Sequence, residues 1–120
     1  MFGFEKLEVW KLAVEFAEQI YFYTRSFPSD EKFGLTNQLR RAAVSISSNI
    51  AEGSGRLSHK DFVRFLSIAY GSLMECVSQL HIAHRLKYIE SESLAEMLAL
   101  AESIARMLSR LKTRLEEEES

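Results

Sequence analysis

Apolar residues recur at three- and four-residue steps along nearly the whole chain, and almost nowhere at the two-residue step of a strand, so the pattern predicts helices throughout. From about Glu5 to Ser26 no glycine or proline interrupts the periodicity. At 100° per residue, Trp10, Ala13, Val14, Ala17, Ile20, Tyr21 and Thr24 form one arc, with Val9, Leu12, Phe16, Tyr23 and Phe27 beside it. The combined apolar arc spans roughly 200°, against the ~100° or somewhat more that packing into one core requires. Such an excess is either buried deeply within the monomer or meets another subunit, the second being favoured in so small a chain, and Phe22 falls on the polar side. Pro28 ends this helix. Ser29, Asp30 and Glu31 suit a short helical turn through Phe33, which Gly34 breaks.

The second helix, capped by Thr36 or Asn37 and running to about Gly53, places Leu35, Leu39, Ala42, Ile46, Ile50 and Gly53 on a core-facing seam. Ala43, Ser45, Ser48, Asn49 and Ala51 flank it. Small side chains bring helix axes close together, and a buried Ser or Asn then bonds to a neighbouring helix. Gly53 and Gly55 supply freedom to stop the helix. Ser58 followed by Asp61 opens a third helix, from about 59 to 87, with Phe62, Leu66, Ala69, Leu73, Cys76, Leu80 and Ala83 as seam and Phe65, Ile68 and Tyr70 outside it. No glycine marks its end near Tyr88. Ser91 or Ser93 opens a fourth, whose seam is Met97, Ala101, Ile104, Leu108, Leu111 and Leu115. Arg110, Lys112 and Arg114 suit a helix C-terminus, whereas the acidic tail within 116–120 opposes the macrodipole and should fray. Short connections between four helices imply an all-α, up-down-up-down antiparallel four-helix bundle in a single domain spanning residues 1–120.

The run Gln38-Leu39-Arg40-Arg41-Ala42-Ala43-Val44-Ser45-Ile46-Ser47-Ser48-Asn49-Ile50-Ala51-Glu52-Gly53, followed by Arg56, resembles the 23S rRNA intervening-sequence protein family, which is related to the accessory protein of diversity-generating retroelements. Leu7-Glu8-Val9-Trp10, Phe27-Pro28, Phe33-Gly34-Leu35 and the stretch from Phe65 to Glu75 match the same pattern, so the resemblance covers roughly residues 7 to 89. It implies a four-helix bundle assembled as a homopentameric ring and names no reaction. Many relatives have proline where this chain has Ser47, so the resemblance does not carry a proline kink into this second helix.

Composition narrows the chemistry. The single Cys76 excludes an internal disulfide framework and a cysteine-based zinc cluster, and suits a reducing cytoplasm. No run approaches the ~18 apolar residues of a membrane span, and the N-terminus lacks the apolar core of a signal peptide. His81 and His84 stand three apart, but Ser78 occupies the position where a di-iron Glu-x-x-His motif needs its carboxylate, so no metal or other cofactor is expected. Ser45, Ser48 and Asn49 have no base at helical spacing and no strained elbow, so their expected role is close packing, and the chain is not expected to be an enzyme. Cys76 reads as a small core residue.

Net charge is −2, yet Glu116 to Glu119 contribute four negatives, so residues 1–115 carry 15 basic against 13 acidic side chains. Residues 36–64 carry five basic, Arg40, Arg41, Arg56, Lys60 and Arg64, against two acidic. These five are the candidate nucleic-acid contacts, since repeating them around a ring would build a surface that neutralises phosphate. Two readings follow: an oligomeric accessory protein binding structured RNA or other nucleic acid, or a scaffold that binds another protein while its basic residues are satisfied internally. A small-ligand or metal-binding bundle is the third.

Overall fold

The computed structural model describes residues 1–119. Four helices account for most of them: α1 (Glu8–Thr24), α2 (Leu35–Ser54), α3 (His59–Arg85) and α4 (Ser91–Glu119), with short 3-10 turns over Gly3–Lys6 and Ser29–Glu31. Each helix packs on its sequence neighbours, and α1 closes the ring of helices onto α4, giving a bundle of 48 × 23 × 22 Å. Side-chain pairs fix the directions. Ser72 bonds to Ser45 and Gln79 to Gln38, so a step of seven up α3 matches a step of seven down α2, and the pair is antiparallel.

The core is built from the expected seams. Leu39, Ile46 and Ile50 of α2, Leu66, Leu73 and Leu80 of α3, and Met97, Ile104 and Leu108 of α4 are fully buried. From α1 come Val9, Ala13, Phe16 and Ile20, with Trp10, Leu12, Ala17 and Tyr23 partly buried against the core, whereas Val14 and Tyr21 remain about two-fifths exposed, so the monomer covers most of the wide apolar arc and leaves these two residues outside it. Phe22 is exposed, as its position among polar residues predicts.

Several boundaries differ from the sequence expectation. The first helix starts at Glu8, because Leu7 is extended and the preceding turn folds back to set Phe4 edge-on against Trp10, ring centroids 5.0 Å apart. The cap of α2 is supplied by neither Thr36 nor Asn37: Thr36 is buried, and the Leu35 N–H donates to Glu31 Oε1 at 3.1 Å across Gly34. The other Glu31 oxygen accepts from the Tyr88 hydroxyl at 3.0 Å, and that bond raises the Tyr88 pKa above its usual 10.0. Ser58 caps α3 as expected, accepting the Asp61 N–H at 3.1 Å. Two residues past the end of α3 at Arg85, Lys87 takes a φ of 65°; the Tyr88 N–H donates to the Ala83 carbonyl at 2.9 Å and the Lys87 N–H to that of His84 at 3.0 Å, a Schellman closure without glycine. Helix α4 is helical through Glu119, including acids expected to fray, with Glu118 Oε1 3.7 Å from His59 of α3; the last residue of that tail, Ser120, lies outside the described residues.

Candidate nucleic-acid interface

Arg40 and Arg41 are consecutive on α2 and therefore point about 100° apart. Arg40 turns toward α1. Its guanidinium lies over the Tyr21 ring, 4.6 Å from the centroid, and its Nε donates to Thr24 Oγ1 at 2.9 Å. A second donor reaches the Tyr21 carbonyl at 3.5 Å. Placed against the last turn of α1, this cation also meets the negative end of that helix dipole, so it serves as a clamp between two helices. Arg41 is exposed and makes no hydrogen bond or ion pair with the described residues.

Arg56, Lys60 and Arg64 stand at the turn from α2 into α3 and the start of α3, beyond the end of α2 at Ser54, which lies about 21 Å along the helix from Arg40 at 1.5 Å per residue. The structure therefore divides the five expected contacts into two groups. In the second group acids intervene: Arg56 pairs with Glu52 at 2.8 Å and approaches Asp61 at 4.0 Å, while Arg64 pairs with Asp61 at 3.1 Å. Both guanidinium carbons also sit 4.6 Å from the Phe65 ring centroid, so the ring lies between two cations. Phe65, expected outside the seam, is buried at 6% exposure. The physical reason is Gly53 across from it: a Cβ there would stand 2.7 Å from the Phe65 Cβ, so the missing side chain is what admits the aromatic. Lys60 is exposed and unpaired among the described residues.

The polar residues of α2 are structural. Ser45 accepts from Ser72 of α3 at 3.0 Å, which links the two helices, and from Asn49 of its own helix at 2.9 Å. Ser48 faces outward and makes no such link, a departure from the expected packing role. Cys76 is fully buried, and loss of solvation pushes its pKa up to about 12, with Glu75 adding to the shift; the thiol is held away from its reactive form. His84 shares a 2.9 Å hydrogen bond with Ser91, and His81 is exposed. Among the described residues no three His, Cys, Asp or Glu side chains gather as a metal site, and no helix is long and apolar enough to cross a membrane.

A second basic surface lies where the sequence reading saw only a helix end. Arg106, Arg110, Lys112 and Arg114 of α4 make no ion pair with the described residues; Arg106 reaches only Ser103 Oγ, at 3.3 Å. Arg110 and Arg114 share a shallow cleft with Lys6, and Lys112 faces Tyr70 of α3. The sequence did carry a signal: residues 103–115 hold four cations and no anion.

Fold and surface together define an antiparallel four-helix bundle with clustered exposed cations and an incompletely covered apolar face. The chain belongs to the 23S rRNA-intervening sequence protein family, whose model matches residues 5–110. It is also similar to a crystal structure of a protein of unknown function from the S23 ribosomal protein family of Bacteroides thetaiotaomicron. The two share 27% identity over 87% of this chain and 97% of that one, with a TM-score of 0.79. No curated protein matches.

Proposed function

We propose that the protein is a non-enzymatic accessory factor that assembles with copies of itself, as a ring of five, and holds structured RNA through its exposed cations. One observation carries the reading: basic side chains that are exposed and unpaired among the described residues occur on α2, α3 and α4, where each copy added to a ring would repeat them. Such contacts neutralise phosphate, so binding is weakly sequence-dependent and falls steeply with salt. The exposed Val14 and Tyr21 of α1 support the assembly, and the burial of Cys76 and the internal bonding of Ser45 support a role without covalent chemistry.

A scaffold that binds another protein is the second reading, favoured by the internal engagement of Arg40, Arg56 and Arg64. The two separate in one experiment. Among the described residues Arg41 and Lys60 are the two of the five that have no partner, and their joint replacement by Glu leaves the helix contacts untouched. Filter retention of a structured RNA at low salt should fall at least tenfold in R41E/K60E, with the sedimentation of the protein unchanged. Wild-type protein that retains no RNA at low salt would give the scaffold reading precedence.

A further inference from the structure

We infer that the cleft between α3 and α4 centred on Tyr70 binds an unpaired stretch of RNA, Tyr70 stacking against a base while Arg106, Arg110 and Lys112 hold the flanking phosphates. The inference rests on the RNA reading above and assigns it a site that the five residues of α2 and α3 do not form. Tyr70 is 39% exposed and lines a cleft whose other residues are largely apolar, so its side chain is within reach of a base entering from solvent. On one side it meets Leu66, Leu108 and Lys112; beyond it lie Met74, Val77 and Leu98. Arg106 and Arg110 border an adjoining, shallower depression that also holds Tyr70 and Ser109, one helical turn apart and so about 6 Å along the axis.

Charge selects the occupant. The three cations are unpaired among the described residues, so a polyanion gains their full attraction without displacing an ion pair. Two acids bound the positive stretch: Glu102 lines the cleft near His81, and Glu116 follows Lys112 by one turn. Phosphates therefore seat between residues 106 and 112, beside Tyr70. Within a duplex both faces of a base are already stacked, so only an unpaired nucleotide can reach the ring.

The test is fluorescence anisotropy with a short labelled oligouridine, across a salt series, on wild type, Tyr70→Ala, Tyr70→Phe and R106Q/K112Q. Tyr70→Ala should weaken binding about tenfold and Tyr70→Phe should retain it, because the π face and not the hydroxyl makes the contact. R106Q/K112Q should flatten the slope of log affinity against log salt by about 1.4, for two phosphates released. Wild-type affinity in Tyr70→Ala, or an unchanged salt slope in the double variant, overturns the assignment. If R41E/K60E loses the oligonucleotide while Tyr70→Ala keeps it, the RNA reading stands and this site falls. If wild type binds neither oligouridine nor structured RNA, both fall. A change of sedimentation in Tyr70→Ala without loss of RNA marks the cleft as a contact between copies and also overturns it.

Discussion

Gly53 shows how one missing side chain sets a helix crossing. The glycine was expected to end α2 by backbone freedom, yet it lies inside the helix with no positive φ, and α2 continues through Ser54. Its function is spatial. A Cβ would stand 2.7 Å from Phe65 Cβ and 2.9 Å from Phe62 Cδ1, both distances that force movement. Phe65 is not free to yield: it is buried with two arginines over its ring, and its Cβ is fixed by the α3 backbone. Gly53→Ala should therefore destabilise the protein by about 1 to 3 kcal/mol despite the better helix propensity of alanine, read as a lowered midpoint in urea. A midpoint at or above that of wild type would show that α2 and α3 can separate without loss.

At the scale of the elements, the end of α3 holds a correctable strain. Lys87 occupies the left-handed region at φ 65°, where a β-carbon crowds the backbone and glycine does not. Both Schellman hydrogen bonds are already in place, so Lys87→Gly keeps them and removes the crowding. Thermal unfolding should show a gain of roughly 0.5 to 1 kcal/mol, after the larger unfolded-state entropy of glycine is subtracted. A loss instead would mean that the lysine side chain contributes more than its backbone strain removes.

The seams of α2, α3 and α4 were largely legible because burial of Leu39, Leu73 or Ile104 follows directly from a four-three spacing, whereas the broad arc of α1 did not single out Val9 and Phe16 over Val14 and Tyr21. Caps and closures were less so. The cap on α2 comes from Glu31, outside that helix, and α3 stops where a lysine accepts a conformation its type disfavours; both depend on surroundings that local pattern does not encode. Phe65 was misplaced because the seam rule counts one stripe, while the Gly53 opening widens the buried face. For the candidate site, sequence proximity suggested a single patch from Arg40 to Arg64. Helical rise separates its two groups, and Glu52 and Asp61 neutralise part of one, whereas the α4 cations converge with Tyr70 only through the packing of α3 on α4.

For the whole molecule, the informative feature is what stays uncovered. Val14 and Tyr21 of α1 and Val44 of α2 are each about two-fifths exposed on helices that pack side by side, with Arg40 stacked on Tyr21 where they meet. Apolar residues so placed favour contact with another copy, as the proposed ring requires. Val14→Glu combined with Val44→Glu should bring the species seen by sedimentation down to the 13.8 kDa chain while leaving helical content intact, because a carboxylate buried at such a contact is strongly unfavourable. Wild-type protein sedimenting as that same monomer at micromolar concentration would exclude the ring.

One carboxylate also bears on how this bundle breathes. Glu31 receives the first amide of α2 with one oxygen and the Tyr88 hydroxyl, 57 residues further along, with the other. The connection from α1 to α2 and the connection from α3 to α4 are thereby tied at the same end, and neither can swing out without breaking the shared anchor. The two loops form one unit of local unfolding, so hydrogen exchange in the Leu35 amide and in the turn at Tyr88 should rise together when Glu31 is removed.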